Sequence, residues 1–127
     1  FVKTMLRLGA DRDALSIVDD QIGGPTAAGD IAEALLTIAK AFHQGKGASG
    51  VYHFAGAPAV SWRQFAEAIF DEAGLQVDVM PIPSSDYPTP AARPLNSRLN
   101  CAKIKTDYGI EQPNWRAGLR EVIGELT

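Results

Sequence analysis

The apolar residues of this chain change their spacing repeatedly, and that change constrains the fold more than any other feature. Three short runs read as strands: LSIV at 15–18, GVYHFAG at 50–56 and LQVDVMPIP at 75–83. Between and around them, apolar residues recur every three to four positions, the period of an amphipathic helix. The resulting order is helix, strand, helix, strand, helix, strand, loop, helix, helix. Such alternation predicts an α/β fold with short, partly parallel strands. Three short strands make a thin sheet, so a larger sheet supplied by other residues is expected beside them. The chain also opens inside a helical pattern, FVKTMLRLG, with Val2, Met5, Leu6 and Gly9 on one face and no start methionine. A piece of a longer protein is therefore expected.

Local signals mark the boundaries. Thr26 suits an N-cap, Asp30 falls in the following first turn, and Ile31, Leu35, Ile38 and Phe42 form one helical face ending near Gly45 and Gly47. Ser61 and Gln64 make an S-x-x-Q capping box, with Val60 and Phe65 at the staple positions, and Gly74 stops that helix. Asn100 caps a short helix to Gly109, with Leu99 and Ile104 as a second staple. Asn114 caps the last helix, whose face is Trp115, Leu119, Val122 and Leu126.

Composition excludes several classes of function. The 127 residues carry 12 Lys and Arg against 15 Asp and Glu, a net charge of −3, with the cations scattered. That charge offers no nucleic-acid footprint and no polybasic membrane patch. No apolar run approaches the ~20 residues of a spanning helix. A cytoplasmic chain is expected, and the single Cys101 reads as a small buried hydrophobe. His53 reads as a hydrogen-bonded structural residue.

Catalytic motifs are mostly missing from the sequence. It contains no G-x-x-x-x-G-K-[ST] loop, no G-x-G-x-x-G, no G-x-S-x-G and no Cys/His cluster at metal spacing. None of Tyr52, Tyr87 and Tyr108 is followed four residues later by lysine. IGGPTAAGD precedes a helix and offers an anion a helix N-terminus, or else its glycines serve only backbone angles.

Two loops carry the positive evidence. DDQIGGPT follows a strand, where α/β proteins place ligands at strand carboxyl ends. PTPAARPLNSRL at 88–99 has no hydrophobic period and three prolines. Pro94 confines Arg93 to extended angles, and Pro90 does the same to Thr89. A guanidinium on a stiffened loop suits a phosphate or diphosphate, because its fork presents paired donors. A surface ion pair worth about 0–1 kcal/mol explains the same residue. On the residues alone both readings of Arg93 stay open.

The motifs taken together resemble a known family. D-Q-x-G-x-P-T is met by Asp20, Gln21, Gly23, Pro25 and Thr26. R-P-x-x-S-x-L is met by Arg93, Pro94, Ser97 and Leu99, and P-x-W-x-x-G-L by Pro113, Trp115, Gly118 and Leu119. In this order and spacing they resemble the C-terminal part of dTDP-4-dehydrorhamnose reductases, which are extended short-chain dehydrogenases/reductases. The resemblance covers essentially the whole chain, so residues 1–127 are expected to be the C-terminal substrate-binding lobe of a longer protein. It implies NAD(P)H-dependent reduction of dTDP-4-dehydro-L-rhamnose to dTDP-L-rhamnose, a precursor of cell-surface polysaccharides such as the O-antigen. NADPH or NADH would be bound, and the catalytic Tyr-x-x-x-Lys pair carried, by an N-terminal Rossmann region outside these residues. This stretch alone is then expected to bind nucleotide-sugar without turnover.

Binding roles follow for Arg93 on the diphosphate and for Gln21 on sugar or nucleotide. Asn96 and Ser97 would line the same wall, although turn and capping duty explains them equally. Some members dimerise through Mg²⁺. Glu125 fits one acidic position, but Gly29 stands where another is expected, so no metal is expected here and a homodimer is left open. The alternatives are a non-catalytic regulatory homologue of the methionine adenosyltransferase subunit type, and another nucleotide-sugar reductase or epimerase.

Overall fold

The computed structural model describes residues 1–126. Its elements are α1 (Val2–Asp11), β1 (Ala14–Val18), β2 (Ile22–Gly23), α2 (Ala28–His43), β3 (Val60–Ser61), α3 (Trp62–Ala73), β4 (Asp78–Ile82), a 3₁₀ turn (Ser84–Asp86), α4 (Ala102–Tyr108) and α5 (Trp115–Leu126). β1 pairs with β4 in parallel, from Ala14 opposite Asp78 to Val18 opposite Ile82. β2 pairs antiparallel with β3. The expected α/β class with partly parallel strands holds.

Helix α3 organises the core because its local signals agree with its burial. The Ser61 hydroxyl accepts the Gln64 N–H, and the Gln64 side chain accepts the Ser61 N–H, which completes the capping box. Gly74 closes the helix in the left-handed conformation at φ 66°. Between them Phe65, Ala66, Ile69 and Phe70 are buried against Met5, Leu15, Val79, Trp115, Leu119 and Ile123. Gly9 lets α1 lie against α3, since a side-chain carbon there would stand 2.7 Å from the Phe70 ring.

A smaller cluster holds α4. Cys101 and Ile104 are buried with Ala55, packed by Ile38, Tyr52 and Tyr108. The Tyr108 hydroxyl donates to the Ala48 carbonyl at 2.6 Å and accepts the Ala48 N–H at 2.9 Å. The Tyr52 hydroxyl donates to Asp107 at 2.7 Å, and that carboxylate pushes the phenol well above its ordinary pKa. Lys103 sits 4.4 Å above the Tyr52 ring.

Several expectations are corrected. Thr26 does not cap α2: Ala27 is the N-cap, and the Thr26 hydroxyl instead donates to Gly24 and accepts the Gly56 N–H. Residues 50–56 form no strand, because a strand needs a ladder and no described residue lies alongside them to make one. His53 there is exposed rather than structural. The α2 face is periodic as expected, yet Ile31, Leu35 and Phe42 are exposed and only Ala34 is buried. Leu99 is exposed, and the N-cap of α4 is Cys101, without a side-chain cap bond, rather than the expected Asn100, whose side chain accepts the Ala102 N–H at 3.0 Å. In α5, Ile123 is buried where Leu126 was expected to be, and Asn114 accepts the Arg116 N–H as predicted.

Candidate functional site

Four consecutive residues after β1 each tie down a different part of the chain. The Asp19 carboxylate accepts the Ser61 hydroxyl and faces Arg63 at 3.5 Å, which fixes the start of α3. The Asp20 carboxylate accepts both the N–H of Ser84, at 2.9 and 3.0 Å, and the Ser84 hydroxyl. These bonds favour the ionised form and lower its pKa. The Gln21 amide nitrogen donates to the Ser84 hydroxyl oxygen at 2.9 Å, and its carbonyl accepts the Trp62 indole N–H at 3.2 Å. The Ile22 N–H donates to the Leu95 carbonyl, and the Ile22 carbonyl accepts the Ser97 N–H, both at 2.8 Å.

This last pair explains the proline-rich stretch. Residues 95–97 lie alongside β2 as a short parallel bridge, with Asn96 opposite Ile22. Arg93 is two residues before Leu95, so its backbone lies within about 7 Å of that fixed point. Its side chain is exposed, and among the described residues it makes no ion pair. The bond between Ile22 and Leu95 therefore brings Gln21 and the Arg93 loop to the same end of β1.

Asn96 and Ser97 share that backbone seam, but their side chains differ in use. The Asn96 carbonyl oxygen accepts the Arg98 N–H at 3.1 Å, the turn role anticipated as its alternative. The Ser97 Cβ borders Gly23, 3.6 Å from where a side-chain carbon there would lie. Sequence reasoning missed Trp62 and Ser84. The one signal in the sequence was a tryptophan directly after the Ser61 cap, at the first position of a helix; in the structure it is exposed rather than anchored in the core.

Two glycines around the loop before α2 serve the backbone, one of the two roles expected for them. A side-chain carbon on Gly24 would stand 2.4 Å from the Gly56 carbonyl oxygen, and one on Gly56 would stand 2.1 Å from that of Pro25. These glycines let two backbones touch. A cleft of about 270 Å³ lies elsewhere, between α2 and the α4–α5 connection. Asp30, Glu33 and Glu111 line it, a charge that opposes a phosphate. Among the described residues no helix is long and apolar enough to cross a membrane.

Known proteins share this sequence pattern and fold. The family model described as RmlD substrate binding domain matches residues 1–127. A dTDP-4-dehydrorhamnose reductase of Aggregatibacter actinomycetemcomitans is 48% identical over 129 residues, covering 96% of this chain and 44% of that protein. The crystal structure of a dTDP-4-dehydrorhamnose reductase from Clostridium acetobutylicum superposes with a TM-score of 0.88 at 35% identity, over 99% of this chain and 43% of that one. A dTDP-4-dehydrorhamnose reductase of Bacillus anthracis, solved in complex with NADP, gives 0.84 at 36% identity, over 98% and 43%. The chain spans less than half the length of the relatives it matches. With both its strand-end loop and its proline-rich loop inside the matched stretch, the chain belongs to the RmlD substrate binding domain family.

Proposed function

We propose that this chain is the nucleotide-sugar-binding lobe of an NAD(P)H-dependent dTDP-4-dehydrorhamnose reductase. The observation that carries this reading is the Ile22–Leu95 seam, which supports a shared site by bringing the loop of Arg93 to the carboxyl end of the strand that Gln21 follows. Arg93, exposed and without an ion pair among the described residues, is placed on the diphosphate. Gln21 donates to an oxygen of the sugar or nucleotide. Ser97 forms the wall between them, and Asn96 holds that wall's turn. The names of the similar proteins support a reductase acting on dTDP-4-dehydrorhamnose; reduction at its 4-keto group, a cytoplasmic setting and use of the product as a polysaccharide precursor follow from the family resemblance.

A Rossmann region N-terminal to this segment would hold the cofactor, which supplies the hydride, together with the proton donor. Two surfaces support such a neighbour. The apolar face of α2 is open at Ile31, Leu35 and Phe42, and residues 51–54 run beside no strand. A sheet edge and helix contact from the missing region would cover both. This lobe's own work is to bind the substrate, orient its keto carbon and exclude water from it. The test is NAD(P)H oxidation with dTDP-4-dehydro-L-rhamnose. The full-length protein is expected to yield dTDP-L-rhamnose and the 127-residue chain no turnover. Turnover by the short chain, or none by the full-length protein, would contradict the reading.

A further inference from the structure

We propose that Trp62 and Ser84 are positioning residues that fix which end of the Gln21 carboxamide faces the nucleotide-sugar. The inference rests on the reading above that Gln21 contacts that substrate.

A glutamine amide presents an acceptor at one end and a donor at the other, in nearly the same shape. Left free, it rotates to suit any neighbour. Here the network has a direction. The Asp20 carboxylate can only accept, and it takes the Ser84 hydroxyl proton along with the Ser84 N–H. The Ser84 oxygen has then spent its one proton and can offer only a lone pair to Gln21. At the other end, the indole N–H of Trp62 can only donate. Nitrogen must therefore point to Ser84 and oxygen to Trp62, as observed.

One N–H and one carbonyl lone pair of Gln21 are left over, each on an end whose place the network has fixed. The N–H on the Ser84 side is the donor assigned to the ligand, where it selects an acceptor: a phosphate, hydroxyl or carbonyl oxygen. Trp62 is held in place for this task. Phe1 packs on its ring at 4.7 Å and in turn stacks on Phe65 at 5.6 Å. Trp62 is nevertheless 42% exposed, so core packing does not account for it.

The experiment is a double-mutant cycle in the full-length reductase, reading KM for the nucleotide-sugar and kcat at saturating NAD(P)H. Gln21→Ala and Trp62→Phe are each expected to raise KM about fivefold, the worth of one hydrogen bond, with kcat within about twofold. Trp62→Phe is expected to add nothing in the Gln21→Ala background. Ser84→Ala, a change in a half-buried turn, should repeat the pattern and keeps the test standing if Trp62→Phe fails to fold. Equal rises in KM with and without Gln21 would overturn the positioning role while leaving Gln21 in the site. An unchanged KM in Gln21→Ala would remove Gln21 from the site, and the inference with it.

Discussion

The backbone N–H of Ile22 donates to the carbonyl of Leu95 at 2.8 Å, across 73 positions of sequence. This one bond seats a proline-rich stretch without periodicity beside β2, just past the carboxyl end of β1. The return bond from Ser97 to Ile22 fixes its register. Everything proposed for Arg93 depends on that seam, since Pro94 alone stiffens the loop but does not say where it lies.

Close backbone approach at Gly56 is required for the loop behind the site. A Cβ there would stand 2.1 Å from the Pro25 carbonyl and 3.0 Å from the Trp115 side chain. Backbone cannot yield as a flexible side chain does. Gly56→Ala is therefore expected to lower stability by about 1–3 kcal/mol, read from the denaturant midpoint. An unchanged midpoint would mean that the two backbones are not packed as described.

Ser61 serves two partners, as cap of α3 and as donor to Asp19. It is 2% exposed. Ser61→Ala is expected to cost about 1–2 kcal/mol, since both a helix cap and a buried hydrogen bond are lost. Asp19→Ala made on top of it should add less than it does alone. Full additivity of the two changes would separate the cap from the strand end.

Asp20 makes the site sensitive to acid. Its pKa in the folded state is lowered by the Ser84 bonds, so it stabilises the fold fully above its unfolded pKa of about 3.9. That contribution is lost as pH falls through the lower folded value. The parent should lose stability below about pH 4 more steeply than Asp20→Asn, whose acid limb should be flatter. Urea midpoints between pH 2 and 6 measure the difference; parallel limbs would mean that Ser84 does not hold the carboxylate.

The α2 face tests the proposed neighbour. Leu35 is 61% exposed in this segment. Were it exposed in the whole protein, Leu35→Glu would change stability by no more than about 0.5 kcal/mol. If a Rossmann region covers it, burying an unpaired charge should lower the melting midpoint of the full-length protein by several degrees and promote aggregation. An unchanged midpoint would leave α2 uncovered.

How far the sequence could be read depended on the range of each interaction. The Ser61–Gln64 box, Gly74, Gly109 and Asn114 act within one helical turn, so their roles were visible in the residues that make them. The GVYHFAG run has strand composition, but a strand exists only where another lies beside it. Thr26 has the chemistry of a cap, yet the Gly56 amide and Gly24 carbonyl compete for its hydroxyl, and that competition arises only once residues 24 and 56 meet. Gln21 and Arg93 were legible as candidates from their loops and from family resemblance. Trp62 and Ser84 were not, because their meaning lies in contacts with Gln21 spanning 41 and 63 positions.

The most direct measurement is the kinetics of Arg93→Ala in the full-length protein, with KM determined separately for the nucleotide-sugar and for NADPH. A lost charge-assisted contact of about 1.5–3 kcal/mol corresponds to a rise in the nucleotide-sugar KM of roughly tenfold or more. The KM for NADPH should stay within about twofold of the parent. Equal nucleotide-sugar KM values in variant and parent would take Arg93, and with it the proline-rich wall, out of the binding site.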